Sequence, residues 1–305
     1  MINFRYHLVS LTAVFLALAI GLVLGTTALN GPTMDALSET VTSLRNDNEQ
    51  LRDQVGQLED DAAKDQNFAT EVAPATLAGT LEEQRVLVMS VGAADPIDVE
   101  GATKMLDYSK AANVGQLTFT DAFTDPGNSG QLTDLVAELT PKDFDPPNNN
   151  DGVESMSALL AASLLADGPV KADDRDAIIS ALVDLKMVTV DADLAKQATA
   201  VMIVTGEPYS DTDATDRNTN VLTFADQFGR TGPSVVAAPT IVGEENVIAG
   251  IIDDKALADK VSTVDNISGP EGQLATILAL SECIDGKAGH YGTGSEASAL
   301  VPESP

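Results

Sequence analysis

Tryptophan is absent from this chain, aromatic residues make up 4% of it, and it holds one cysteine, two histidines and 17 Lys+Arg against 47 Asp+Glu. Each shortage removes a class of function. A membrane β-barrel needs girdles of aromatic side chains at both interfaces and alternating polarity along its strands. Here the aromatics are too few and the apolar runs are continuous. The single cysteine, Cys283, forbids an intrachain disulfide and any multi-cysteine metal site, and it leaves the redox compartment undetermined. A net charge of −30 would repel phosphate, which argues against nucleic acid and anionic lipid as partners. The plain meaning of that charge is a solvated acidic surface; a face that attracts cations or a basic partner is the alternative. What remains is 305 residues, 44% of them hydrophobic, enough for one or two domains with a sizeable core.

Recognisable catalytic signatures are missing too. No GxGxxG follows a strand-like run; Gly292, Gly294 and Ala297 resemble its tail but have no helix signal after them. There is no Walker loop and no GxSxG elbow. His7 abuts a long apolar run, so a Ser–His or Cys–His pair would rest on His290 alone, and Cys283 reads as readily as a small core residue. The segment 211–218, DTDATDRN, bunches aspartates but lacks the glycine of a calcium loop and has Leu222 where the bidentate glutamate belongs. It reads as a solvated loop. The seven methionines are scattered with no MxM or MxxM pair, so they read as core filler rather than soft copper ligands. No catalytic or cofactor-binding residue is assigned, and no enzyme activity is expected.

One long hydrophobic run is present. Residues 8–29, LVSLTAVFLALAIGLVLGTTAL, carry no charge and are long enough to span a bilayer as a helix. Thr26-Thr27-Ala28 also resembles a weak signal-peptidase site. Arg5 precedes the run and no Lys or Arg follows until Arg45, which puts the N-terminus in the cytoplasm and the bulk of the chain outside. Gly21 and Gly25 form a GxxxG pair suited to close helix packing, although glycine is common in membrane helices anyway.

A heptad follows. Met34, Val41, Asn48, Val55 and Ala62 hold its first position, and Leu37, Leu44, Leu51 and Leu58 its fourth. Valine and leucine in this order favour a parallel two-stranded coiled coil, with the buried Asn48 fixing register and strand number. Asp47 of one chain would then face Arg52 of its partner. The dimerisation residues are thus Met34, Leu37, Val41, Leu44, Asn48, Leu51, Val55 and Leu58, on a coil about 40 Å long at 1.5 Å per residue. A lone amphipathic helix lying on the next domain is the competing reading, and Gly56 favours it.

Beyond a connector at 69–84, apolar β-branched runs at 85–92, 114–120, 187–190, 199–206, 233–242 and 245–252 read as strands. Helical stretches fall around 99–112, 130–139, 153–165, 173–185 and 272–280, and 141–152 is a Pro/Asn/Asp loop. The alternation predicts an α/β fold with a mostly parallel sheet covered by helices. The expected organisation is a cytoplasmic tip and transmembrane anchor at 1–30 and a coiled coil at 31–68. The connector at 69–84, an extracytoplasmic α/β domain at 85–290 and a flexible tail at 291–305 complete it.

The N-terminal SLTAVFLALAIGLVLGT, the heptads, the strand RVLVMS, the late STVDNISGPEGQLATILAL (with its element Ser262–Asp265) and GHYGTGS together resemble the actinobacterial copper transport protein B family over essentially the whole chain. The resemblance implies copper transport or homeostasis, in some accounts as an outer-membrane channel. It also implies an envelope scaffold that acts with a membrane partner on septal peptidoglycan hydrolases and so on cell division. It carries over no site residue, and copper enters by resemblance only. The residues themselves favour an anchored homodimer that docks an envelope or membrane protein.

Overall fold

The computed structural model describes residues 4–147, 149–166, 168–192, 194, 196–240 and 246–303. Contacts divide the chain into two units, one ending at Lys64 and the other beginning at Asp65. Helix α1 (Phe4–Thr76) supplies the first unit and its last turns enter the second. Within the second unit Ala69, Ala73, Leu77 and Leu81 are buried. The stretch 69–84 therefore packs as part of the α/β domain instead of linking to it.

Strand β1 (Arg85–Val91) is followed by α2 (Pro96–Tyr108), β2 (Ala112–Phe119), α3 (Asp121–Thr124), α4 (Ser129–Leu139), α5 (Gly152–Leu164) and α6 (Ala172–Asp184). Then come β3 (Val188–Ala192), β4 (Ala200–Thr205), α7 (Ala214–Thr231), β5 (Ser234–Ala237), α8 (Val247–Asp253), α9 (Lys255–Ala258), β6 (Val261–Val264), α10 (Pro270–Ile284) and β7 (His290–Tyr291). The described strands form one seven-stranded sheet in the order β3-β2-β1-β4-β5-β6-β7. All neighbours are parallel except β3, which runs antiparallel to β2. The mostly parallel α/β expectation holds. The sheet is open, ending at β3 and β7, so it is not a barrel.

Period-two alternation divides the core. Leu87, Met89, Val201, Ile203, Val236 and Val261 point into one cluster with Phe123, Leu159, Phe224 and Phe228. Val86, Val88, Met202, Val204, Val235 and Val264 point into the other with Leu77, Leu106, Leu274 and Ile277. Fully apolar strands are what a parallel sheet buried on both faces requires.

Three local readings change. ENVIAGII, expected as a strand, forms α8: the Asn246 side chain accepts from Ala249 N–H at 2.8 Å, a helix cap, and the cap outweighs the β-branched content. Strand propensity reports fit to a half-buried surface, and a buried helix can satisfy it equally. Of the run 233–242 only Ser234–Ala237 is strand, and residues 241–245 lie outside the described residues. Helix α7 begins at Ala214, inside the expected 211–218 loop, and Arg217 there pairs with Asp211 at 3.0 Å.

The resemblance motif Ser262–Asp265 covers the last three residues of β6 and the aspartate just beyond it; the apolar-run reading passed over this strand because a serine and a threonine interrupt it. Each of its polar groups meets the C-terminal segment. Ser262 Oγ accepts from Gly289 N–H at 3.3 Å, Thr263 Oγ1 lies 2.9 Å from His290 Nδ1, and Asp265 Oδ1 accepts from the N–H groups of Thr293 (2.7 Å) and Gly294 (3.1 Å). The segment expected as a free tail is thereby tied down. Gly292 N–H donates to Ala299 O, Ser298 N–H to His290 O, and Pro302 is buried. Gly292 sits at φ +129°, and a Cβ added there would fall 2.0 Å from Asp265 Oδ1; one on Gly294 would fall 2.5 Å from Oδ2. Both glycines are needed for the carboxylate to reach the backbone. Gly294→Ala should therefore destabilise the domain by about 1–3 kcal/mol, and Asp265→Ala by about 1–2 kcal/mol. Because one contact is involved, the double variant should cost less than the two summed. Chemical denaturation measures all three, and strict additivity would show that the two residues act independently.

Candidate functional site

Phe4–Thr26 is a helical segment of mean hydropathy 2.5 with none of it buried, long and apolar enough to cross a membrane. Phe15 and Leu18 are 64% and 67% exposed. Gly21 and Gly25 have nothing within 4 Å of an added Cβ, so their surface is open. The heptad side chains Met34, Leu37, Val41, Leu44, Leu51, Val55 and Leu58 are all exposed, from 38% at Val41 to 70% at Leu58, with Asn48 exposed among them. Apolar exposure at this spacing is a stripe without a cover within its own chain.

In the second unit the sheet order reverses between β1 and β4, the position where open α/β sheets hold ligands beyond the carboxyl ends of their strands. Here that crevice is filled. Gly92 (φ +67°) and Ala93 (φ +54°) turn the chain out of β1, and Gly206 packs so tightly on them that a Cβ would lie 2.3 Å from Ala93 O. The remaining cavity, lined by Gly92, Thr205, Gly206, Tyr209, Asn218 and Val221, is about 20 Å³, room for one water. Thr205 Oγ1 is buried there without a protein partner.

The start of α2 is closed as well. Asp95 Oδ1 accepts from Ile97 N–H at 2.8 Å, and Pro96 at the first turn has no N–H. The helix end that receives a pyrophosphate in dinucleotide-binding folds is occupied by the protein's own carboxylate. One turn on, Asp98 accepts from Ser268 Oγ at 2.9 Å; burial pushes this carboxyl above its ordinary range, with the Ser268 bond opposing.

Beside the crevice, the Arg217 guanidinium lies 3.5 Å from the centre of the Tyr209 ring and pairs with Asp121 at 3.1 Å. Tyr209 Oη donates to Asp121 Oδ1 at 2.7 Å. Burial raises the Tyr209 phenol, the Thr124 hydroxyl offsetting it and Asp121 adding to it. This clamp holds the β4–α7 loop against α3. Sequence spacing gave no sign of it, since Asp121 and Tyr209 stand 88 positions apart.

The soft metal ligands are dispersed. Met89, Met156 and Met187 belong to one core cluster, Met105 and Met202 to the other. Cys283 is buried with its Sγ 3.5 Å from Ser234 O and 3.4 Å from Lys260 O. His290 is held at Nδ1 by Thr263, and burial lowers its pKa against the opposing effect of Asp259. Among the described residues no group of three or more His, Cys, Asp or Glu is placed to hold a metal ion.

Finally, α2, β2 and β3 border an open cleft of about 600 Å³. The Ser90 hydroxyl donates to Thr118 Oγ1 at 3.0 Å, and Thr118 donates to Asp191 Oδ2 at 2.7 Å, a polar file across three strands.

The profile of the family described as "Copper transport outer membrane protein, MctB" matches residues 1–302. Relatives bearing the name "Copper transporter MctB" match along the whole chain. That of Mycobacterium tuberculosis (strain ATCC 25618 / H37Rv) is 29% identical over 314 residues, covering 99% of each chain. That of Mycobacterium leprae is 26% identical over 330 residues, covering 99% of this chain and all of the relative. Family match and relatives alike run from the apolar helix to the C-terminal lock, and the chain belongs to the MctB copper transport family.

Proposed function

We propose that this chain is a membrane-anchored envelope component of copper transport, working as a parallel homodimer that docks a partner. The whole-chain family membership carries the copper assignment. In favour of anchoring stands the apolar Phe4–Thr26 segment. In favour of dimerisation stands the exposed Val/Leu stripe interrupted by Asn48, since a buried asparagine at this heptad position selects two strands at a cost in stability. Arg5 before the segment and acidic Asp35 and Glu39 after it favour a cytoplasmic N-terminus. The α/β domain then works outside, as a docking body rather than as a pore. The relatives' names speak of copper transport and not of peptidoglycan hydrolysis.

Deleting the gene should sensitise cells to copper, and the wild-type copy should restore tolerance. A strain with division and envelope defects but unchanged copper tolerance would overturn the copper assignment in favour of a septal scaffold.

Copper itself should bind the purified chain only weakly, because Cys283 and five methionines are buried and a preset site needs convergent soft ligands. Calorimetry with Cu(I) under reducing conditions measures this. A stoichiometric site tighter than about 1 nM, or roughly −12 kcal/mol, would make the chain a direct copper carrier.

Dimer and topology share one experiment. In a Cys283→Ser background, Asn48→Cys should form an interchain disulfide under mild oxidation, since equivalent first-position residues face each other in a parallel pair. Reduced, the same thiol should react with a membrane-impermeant reagent before the inner membrane is lysed. Labelling only after lysis would place the domain in the cytoplasm, and failure to cross-link would count against the parallel register.

A further inference from the structure

The sheet is covered unevenly. β1, β4, β5 and β6 bury apolar side chains on both faces. On the α2 side, β2 and β3 instead present Gln116, Thr118, Thr189 and Asp191 to the 600 Å³ cleft, where strands beneath a helix carry Val, Ile or Leu. That volume falls within the range of roughly 300–1,000 Å³ seen for binding sites. The far wall is α2, which turns Glu100, Thr103, Lys104 and Asp107 to the cleft, one helical face at three- and four-residue spacing. Its opposite face, Ala102, Met105 and Leu106, is buried in the core.

The lining side chains set the charge of this cleft. Thr118 has one hydroxyl proton, and it goes to Asp191; that of Thr103 goes to Val99 O. The Glu100, Asp107 and Asp191 carboxylates are acceptors only. Against them stands Lys104, which makes no ion pair among the described residues. The Gln116 amide and the Thr189 hydroxyl supply donors as well, but three carboxylates against one ammonium leave the cleft net acidic, which suits ammonium and guanidinium groups.

A second observation sets the shape of the occupant. β3 is the outermost strand of the sheet, and Thr189, Val190 and Asp191 are all exposed. The outer side of an edge strand offers backbone groups to another strand. Thr189 and Asp191 look into the cleft, whereas Val190 lies opposite Leu117 and so turns to the other face.

We propose that the β3 edge and the α2–β2–β3 cleft receive an extended segment of a partner protein in which Lys or Arg alternates with apolar residues. Backbone hydrogen bonds add it to β3 as a further strand. Its cations lie over Asp191, Glu100 and Asp107, and its apolar side chains lie beside Val190 as cross-strand neighbours. The proposal rests on the docking reading and supplies the chemistry of the partner. It is tested on purified protein, so it fails or stands separately from the copper phenotype.

The probe is a dye-labelled acetyl-Lys-Val-Lys-Val-Lys amide, titrated by fluorescence anisotropy against the full chain in detergent at physiological salt. Saturable binding is expected. Asp191→Asn should weaken it about tenfold, a loss of about 1.4 kcal/mol. Gln116→Trp, which fills the cleft without changing charge, should weaken it as much. A double variant, Asp213→Asn with Asp216→Asn, removes two exposed carboxylates at the start of α7 and should change it less than about twofold, as screening leaves distant charges little effect. Alternate N-methylation of the peptide should abolish binding, because it removes the donors a strand needs. Circular dichroism confirms that each variant is folded. Absence of saturable binding, equal affinity of the N-methylated peptide, or an equal loss in the α7 variant would each overturn the proposal, the last by showing a diffuse acidic field.

Discussion

The two-sided burial of β1 and β4 is the constraint from which the rest of the second unit follows. Both strands lie at the centre of the sheet with apolar residues on each face, so each face must be roofed. One roof is built from α3 to α9 and the other from α2, α10 and the last turns of α1. The second is the narrower, and Gly101 shows how close it is drawn: a Cβ there would fall 2.3 Å from Gln273 Nε2 on α10. With two helices so near each other over the centre, little remains on that side to cover β2 and β3. The polar file Ser90–Thr118–Asp191 is how the uncovered strands tolerate water.

Much of this was legible in the sequence, and the limits have physical reasons. The continuous runs RVLVMSV and AVMIVT announce strands buried on both faces, because only such strands dispense with alternation. β6 escaped the same reading because its serine and threonine are directed at β7, a partner encoded far along the chain. α8 was mistaken because a short buried helix and a short buried strand share one composition, and the deciding asparagine cap is a single residue. The heptad was visible from its spacing alone.

The candidate surfaces divide along the same line. The membrane segment and the Val/Leu stripe are one-dimensional patterns and can be read from spacing. The filled crevice at the strand reversal, the Tyr209–Arg217–Asp121 clamp and the α2–β2–β3 cleft join residues from separate elements and exist only once the sheet is assembled. Absence of a glycine-rich fingerprint already argued against a dinucleotide site. The folded chain adds the physical cause, a carboxylate seated at the helix start and a glycine pressed against the neighbouring carbonyls.

The burial of Cys283 between the carbonyls of Ser234 and Lys260 has a consequence for biogenesis. A domain without disulfides owes nothing to the thiol–disulfide poise of the compartment in which it matures. Its one sulfhydryl, screened from solvent, resists both mixed-disulfide formation and stepwise oxidation. Such a polypeptide can acquire its native state on either side of a bilayer without an oxidoreductase. Cys283 also adds no reactive thiol to the surface of the domain.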